Sequence, residues 1–121
     1  MPDRPRHSDA AAAKSARFHA DTVAQVADAV ANHEVVVVGM GWNPHVRRAR
    51  RALEAAGVPH TYLGFGNYLT GWKHRLAIKL WAGWPTFPQV FVRGELIGGA
   101  NETERAIESG DLANKLSAAS A

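Results

Sequence analysis

An α/β domain built on a mixed β-sheet is predicted by three observations. Helical and strand-like segments alternate along most of the chain, and four consecutive β-branched residues, Val35 to Val38, mark a strand buried on both faces. Two short strands nearer the C-terminus flank an Arg93-Gly94 pair of the kind that closes a hairpin. The 121 residues suit one domain with a single core, and a composition of 46% hydrophobic and 21% charged residues is that of a globular protein rather than a disordered one.

Met1 to Lys14 is rich in Ala, Asp and Arg without apolar period, so residues 1–17 are expected to be a mobile segment and 18–121 a single domain. From Phe18 an extra N-terminal helix is predicted, capped by Asp21 or Thr22, with Val23, Val26, Ala27 and Val30 at helical spacing. The strand Val35 to Val38 leads through a short loop to Asn43, a good N-cap, and to Pro44 at the first helical position, where its missing N–H costs nothing. That helix runs to Ala56, and Gly57 stops it. His60 to Leu63 reads as a second strand, parallel to the first through a right-handed crossover. A third helix is expected from Leu69 to Trp81. Strands Gln89 to Val92 and Glu95 to Ile97 form the hairpin, and a last helix begins at Asn101 or Glu102 with a break at Gly110.

Charge is distributed unevenly. Between Gly41 and Gly94 eight basic residues face Glu54 alone, a net +7, whereas the remainder carries six basic and ten acidic residues, a net −4. A positive central segment points to a small anionic ligand or a protein partner on a basic face, or else to solvated helix faces. No apolar run approaches the roughly 20 residues that span a bilayer, so no membrane association is expected. The first ten residues are polar with no apolar stretch behind them; no secretory signal is expected and the cytoplasm is the expected location.

The chain contains no cysteine. Thiol–disulfide exchange needs an attacking thiolate, and nothing here supplies one. His33, His60 and His74 show no metal-ligand spacing, so no metal is expected.

Trp84-Pro85-Thr86-Phe87-Pro88-Gln89-Val90-Phe91-Val92, followed by Gly94 and by Gly98-Gly99, resembles the glutaredoxins, most closely the W-P-T-x-P-Q-x-(Y/F)-V…G-x-x-x-G-G pattern of their monothiol branch. Extended from Val35 to Leu112, the likeness covers about two thirds of the chain. It implies a thioredoxin-like fold, a four-stranded mixed sheet flanked by helices, with glutathione lying along the segment before a cis Pro88. The family's Cys-Pro-x-Cys falls on Asn43-Pro44-His45-Val46. An iron–sulfur cluster, which in the family needs the lost cysteine, is therefore not expected. By the same resemblance Lys79, assisted by Arg75, would reach the glycyl carboxylate of glutathione. Phe87 would exchange backbone hydrogen bonds with its cysteinyl unit, Thr86 and Pro88 would border it, and Gly98, Gly99, Ala100 and Asn101 would hold its γ-glutamyl end. The family's lysine ahead of the first cysteine is Met40 here, and its aspartate after Gly-Gly-x is Asn101, which removes the charge that pairs the ligand's ammonium.

Asn43 and His45 are the candidates for chemistry at the replaced motif. Asn43 stands at a helix N-terminus, where it either donates to a bound thiolate, as a polar residue does in the glutathione transferases that share the fold, or simply caps the helix. Three functions are expected in order. The first is a cysteine-free binding or regulatory module that uses the inherited groove. The second is a glutathione-dependent transferase or peroxidase acting through Asn43 or His45. A nucleic-acid binder on the basic helices comes last, since no recognised motif for it is present. Trp42 and Trp72 are either part of an aromatic-plus-basic surface or packed in the core; Trp81 and Trp84 are expected under the proline loop.

Overall fold

The computed structural model describes residues 19–118. The expected mobile segment 1–17 lies outside them. Within the described residues, five helices and four strands follow in the order α1 (Ala20–Asn32), β1 (Val35–Gly39), α2 (Pro44–Ala55), β2 (Thr61–Gly64), α3 (Trp72–Ala82), β3 (Gln89–Val92), β4 (Glu95–Gly98), α4 (Ala100–Ser109) and α5 (Asp111–Ala118).

The strands form one mixed sheet in the order β2-β1-β3-β4. β1 runs parallel to β2, with Val37 opposite Tyr62, and antiparallel to β3, with Val37 opposite Val90. β3 and β4 are antiparallel neighbours, and the ladder shifts register between Val90 and Phe91. Their turn places Arg93 and Gly94 at positive φ (52° and 83°), the backbone of a two-residue hairpin whose twist matches the strands.

β1 occupies the sheet's interior, which is why its residues need no polar alternation: every position from Val35 to Gly39 is buried. Val35 and Val37 face Ala49 and Leu53 of α2, Ala106 of α4 and Leu112 of α5. Val36, Val38 and Phe91 face Val26 of α1 and Ile78 of α3 on the other side.

Helix starts differ from expectation in three places, the slightest being α4, which begins at Ala100 rather than at Asn101 or Glu102. α1 begins after His19, so Asp21 and Thr22 both lie inside its first turn and neither caps it; the Thr22 hydroxyl instead lies 2.6 Å from His74 Nδ1 and ties α1 to α3. α3 begins at Trp72 rather than Leu69. Asn67 Oδ1 accepts hydrogen bonds from the N–H groups of Leu69 (2.8 Å) and Thr70 (3.2 Å), so those residues close a turn instead of a helix. Toward the C-terminus Gly110, at φ 82°, makes the expected break between α4 and α5.

Candidate functional site

Three chain segments meet at the C-terminal end of β1 and the N-terminal side of β3. They are the N-terminus of α2, the proline loop before β3 and the N-terminus of α4. Between them lies an open cleft of about 430 Å³ bordered by Asn43, Lys79, Phe87, Pro88 and Asn101 among others.

The Phe87–Pro88 peptide is cis. Thr86 and Pro85 border the cleft at its rim, while Phe87 and Pro88 are buried in its wall. Gln89 anchors the loop from inside, its Nε2 donating to the Trp84 carbonyl at 3.1 Å. Trp84, at the start of this loop, is half-buried, whereas Trp81, expected under the loop, is 42% exposed with its ring toward Phe91, 6.0 Å between centroids.

Asn43 is the floor of the cleft at 9% exposure. Its Oδ1 accepts from the N–H groups of His45 (2.9 Å) and Val46 (3.2 Å), which satisfies two donors that a helix start leaves open. Capping thus accounts for its oxygen. Its Nδ2 has no protein partner among the described residues, leaving an amide donor with accessible surface in a residue that lines the cleft.

His45 is exposed on the first turn and pairs with no carboxylate among the described residues. Arg48 Nη1 lies 3.3 Å from His45 Nδ1, and since a guanidinium only donates, that ring nitrogen accepts. Arg48 also donates to Asn101 Oδ1 and stands 2.9 Å from Glu104 Oε1, so it fastens α2 to α4 across one wall of the cleft. The acceptor oxygen of Asn101 is therefore engaged by Arg48.

The α4 end is formed as the Gly98-Gly99 pair requires. Gly98 has φ 124°, and a Cβ there would stand 2.6 Å from Glu102 Cγ. A Cβ on Gly99 would meet the Pro88 carbonyl oxygen at 3.4 Å, a measure of how closely the helix start abuts the proline loop. The expectation that the Gly99 N–H is free for a ligand carboxylate is corrected: Glu102 Oε1 already accepts from it at 2.8 Å. By helix geometry the N–H groups of Ala100 and Asn101 remain without an intrahelical partner at the cleft.

Lys79 borders the cleft, with Nζ 5.6 Å from the Phe87 ring centroid. Arg75 was expected beside it, and this too is corrected. Arg75 is buried, and its Nη1 donates to the carbonyls of Phe65 (2.9 Å) and Thr70 (2.6 Å), so it staples the β2–α3 loop and does not border the cleft.

Sequence reasoning missed Arg48, Glu102 and Tyr68, which also border the cleft. Two of these were signalled. Arg48 lies three residues after His45 and hence on the same helical face. Glu102 stands third in α4, the position from which a glutamate reaches back to the cap. Tyr68 carries no such signal. Among the described residues no group of three or more His, Asp or Glu is placed to hold a metal ion, and no helix is long and apolar enough to cross a membrane.

With the mixed sheet, the cis-proline loop and the two helix mouths in place, the chain has the thioredoxin-like fold, and comparison with known proteins specifies it further. The family model for glutaredoxin matches residues 35–97. A glutaredoxin-like protein of Dictyostelium discoideum is 44% identical over 99 residues, covering 82% of this chain and 80% of the relative. Oxidised glutaredoxin 2 of Chlamydomonas reinhardtii superposes with a TM-score of 0.72 at 25% identity, covering 84% of this chain and 95% of that one. A buckwheat glutaredoxin–glutathione complex superposes with a TM-score of 0.69 at 20% identity, covering 80% and 88%, which marks a shared fold. The chain belongs to the glutaredoxin family, as a member without cysteine.

Proposed function

We propose that this protein is a binding or regulatory module that holds glutathione, or a closely related anionic thiol peptide, in the cleft without exchanging disulfides through residues of its own. The observation that carries this reading is Asn43. It fills the floor where the family places a thiol, yet it leaves an unpartnered amide donor beside a space of about 430 Å³. A donor in that position suits a thiolate or thiol sulfur brought by the ligand. Lys79 supplies a cation at one side for a carboxylate, and the free N–H groups of Ala100 and Asn101 offer a second anion contact at the other.

The transferase or peroxidase reading draws less support. It needs a base next to the ligand's sulfur, and His45 turns Nδ1 toward Arg48 while Asn43 has no basic atom.

Isothermal calorimetry with reduced glutathione tests the proposal. One-to-one binding in the micromolar to millimolar range is expected, reduced at least tenfold by Lys79→Glu, with no turnover of a disulfide substrate. Absence of heat at millimolar glutathione, or affinity indifferent to Lys79→Glu, would remove it.

A further inference from the structure

The outer face of α3 is apolar, exposed and bordered by cations. Trp72, Leu76 and Leu80 recur every four residues and so form one stripe along the helix. Trp72 is 59% and Leu80 70% exposed, and Leu69, just before the helix, is 80% exposed. On the other side of the same helix Ala77 and Ile78 are buried, Ile78 against the sheet, and buried Arg75 reaches the β2–α3 loop. Lys73 borders the stripe on one side, its Nζ 5.6 Å from the Trp72 ring centroid, and Lys79 borders it on the other. Contiguous exposed apolar surface of this kind marks a place where something docks.

We infer that this face is the docking site for an acidic amphipathic helix of a partner protein, laid along α3 with its apolar side on Trp72, Leu76 and Leu80. Charge selects that occupant. α3 exposes Lys73 and Lys79 with no carboxylate, its Arg75 being buried, and no Asp or Glu occurs anywhere between Glu54 and Glu95. A partner bearing Glu or Asp beside its apolar stripe places them against Lys73 and Lys79 at the rim, where complementary charges steer encounter and fix register.

The same charges weigh against two other occupants. A second copy of this chain brings lysine-bordered face to lysine-bordered face. The chain's own residues 1–18 carry more basic than acidic side chains and offer chiefly alanines as apolar surface. Aliphatic Leu69, Leu76 and Leu80 also distinguish the face from a nucleic-acid platform, because bases stack on aromatic rings and leucine provides none. The stripe is separate from the cleft-bordering residues, except that Lys79 belongs to both rims, so the inference stands whether or not glutathione binds.

A fluorescein-labelled peptide of about 18 residues, five helical turns, with Leu at helical i, i+3, i+4 and i+7 spacing and Glu elsewhere, serves as the probe, followed by anisotropy against the full chain at low salt. Its counterpart with Lys in place of Glu, and an oligothymidylate, are run in parallel. The acidic peptide is expected to bind at least tenfold more tightly than the lysine peptide, and Trp72→Glu or Leu80→Glu is expected to weaken it at least tenfold. Both side chains are exposed, so unchanged circular dichroism and an unchanged unfolding midpoint confirm that the variants are folded. Equal binding of the two peptides, no binding by the full chain, or indifference to both variants overturns the inference. A self-dimer abolished by Leu80→Glu overturns it in favour of a second copy, and tighter binding of the oligothymidylate in favour of nucleic acid.

Discussion

Asn43 combines two jobs in one side chain, an oxygen that caps α2 and a nitrogen left to the cleft. Removing the side chain separates them. Asn43→Ala is expected to lower stability by about 1 kcal/mol, the usual worth of an N-cap, measured by urea unfolding. Asn43→Cys is more informative. A thiol at this helix mouth gains the dipole and the N–H groups of His45 and Val46, which should hold its pKa below the usual value of about 8.5 and yield disulfide exchange with oxidised glutathione where the parent has none. An ordinary thiol pKa and no exchange in that variant would argue that the cleft has lost more than its sulfur. At Gly98 the expectation concerns space and backbone together. Gly98→Ala sets a Cβ against Glu102 at φ 124° and should cost roughly 1–3 kcal/mol in the same unfolding experiment. The double glycine was readable as a helix opening. That Glu102 would take the Gly99 N–H follows from the capping pattern, but it escapes a reading made through a bound ligand.

Among the elements, the β2–α3 connection departs most from sequence expectation, and its physics is local. Asn67 turns the chain back on itself, and buried Arg75 reaches from α3 to hold the carbonyls of Phe65 and Thr70. From sequence alone Arg75 is one basic residue among three on a helix, and nothing marks it as buried. Its burial depends on loop carbonyls that exist only once the turn has formed. Two of the three cations of α3, Arg75 and Lys79, should therefore separate cleanly in mutation. Arg75→Met leaves two carbonyls without a charged donor and is expected to destabilise the fold by about 2–3 kcal/mol, with faster amide exchange in 65–70. Lys79→Ala should leave the unfolding midpoint nearly unchanged and act on ligand affinity. Neutral stability in Arg75→Met would mean that these two hydrogen bonds do not hold the loop. By contrast, β1 and the β3–β4 hairpin were legible because a buried four-residue β-branched run and a two-residue turn each admit few alternatives.

Over the whole molecule, positive charge is concentrated in the central segment, and the fold gathers part of it, Arg48 and Lys79, around one cleft. Arg48 is largely engaged by His45, Asn101 and Glu104, so Lys79 carries most of the attraction for an anion. Affinity for glutathione should accordingly fall several-fold between about 50 mM and 500 mM salt, as screening shortens from roughly 14 Å to 4 Å. The overall fold was recoverable from the proline loop and the order of elements. Exposure of Trp42 and Trp72 was not, since a tryptophan at helical spacing reads equally as core. The most direct measurement is a titration of ¹⁵N-labelled protein with reduced glutathione, followed residue by residue. Amide shifts are expected to saturate together at His45 and Val46, at Thr86 and Phe87, and at Gly99 to Asn101, the three segments that surround the cleft. Shifts absent at millimolar glutathione, or spread over the distant face of the sheet, would contradict a cleft that accepts a thiol while contributing no thiol of its own.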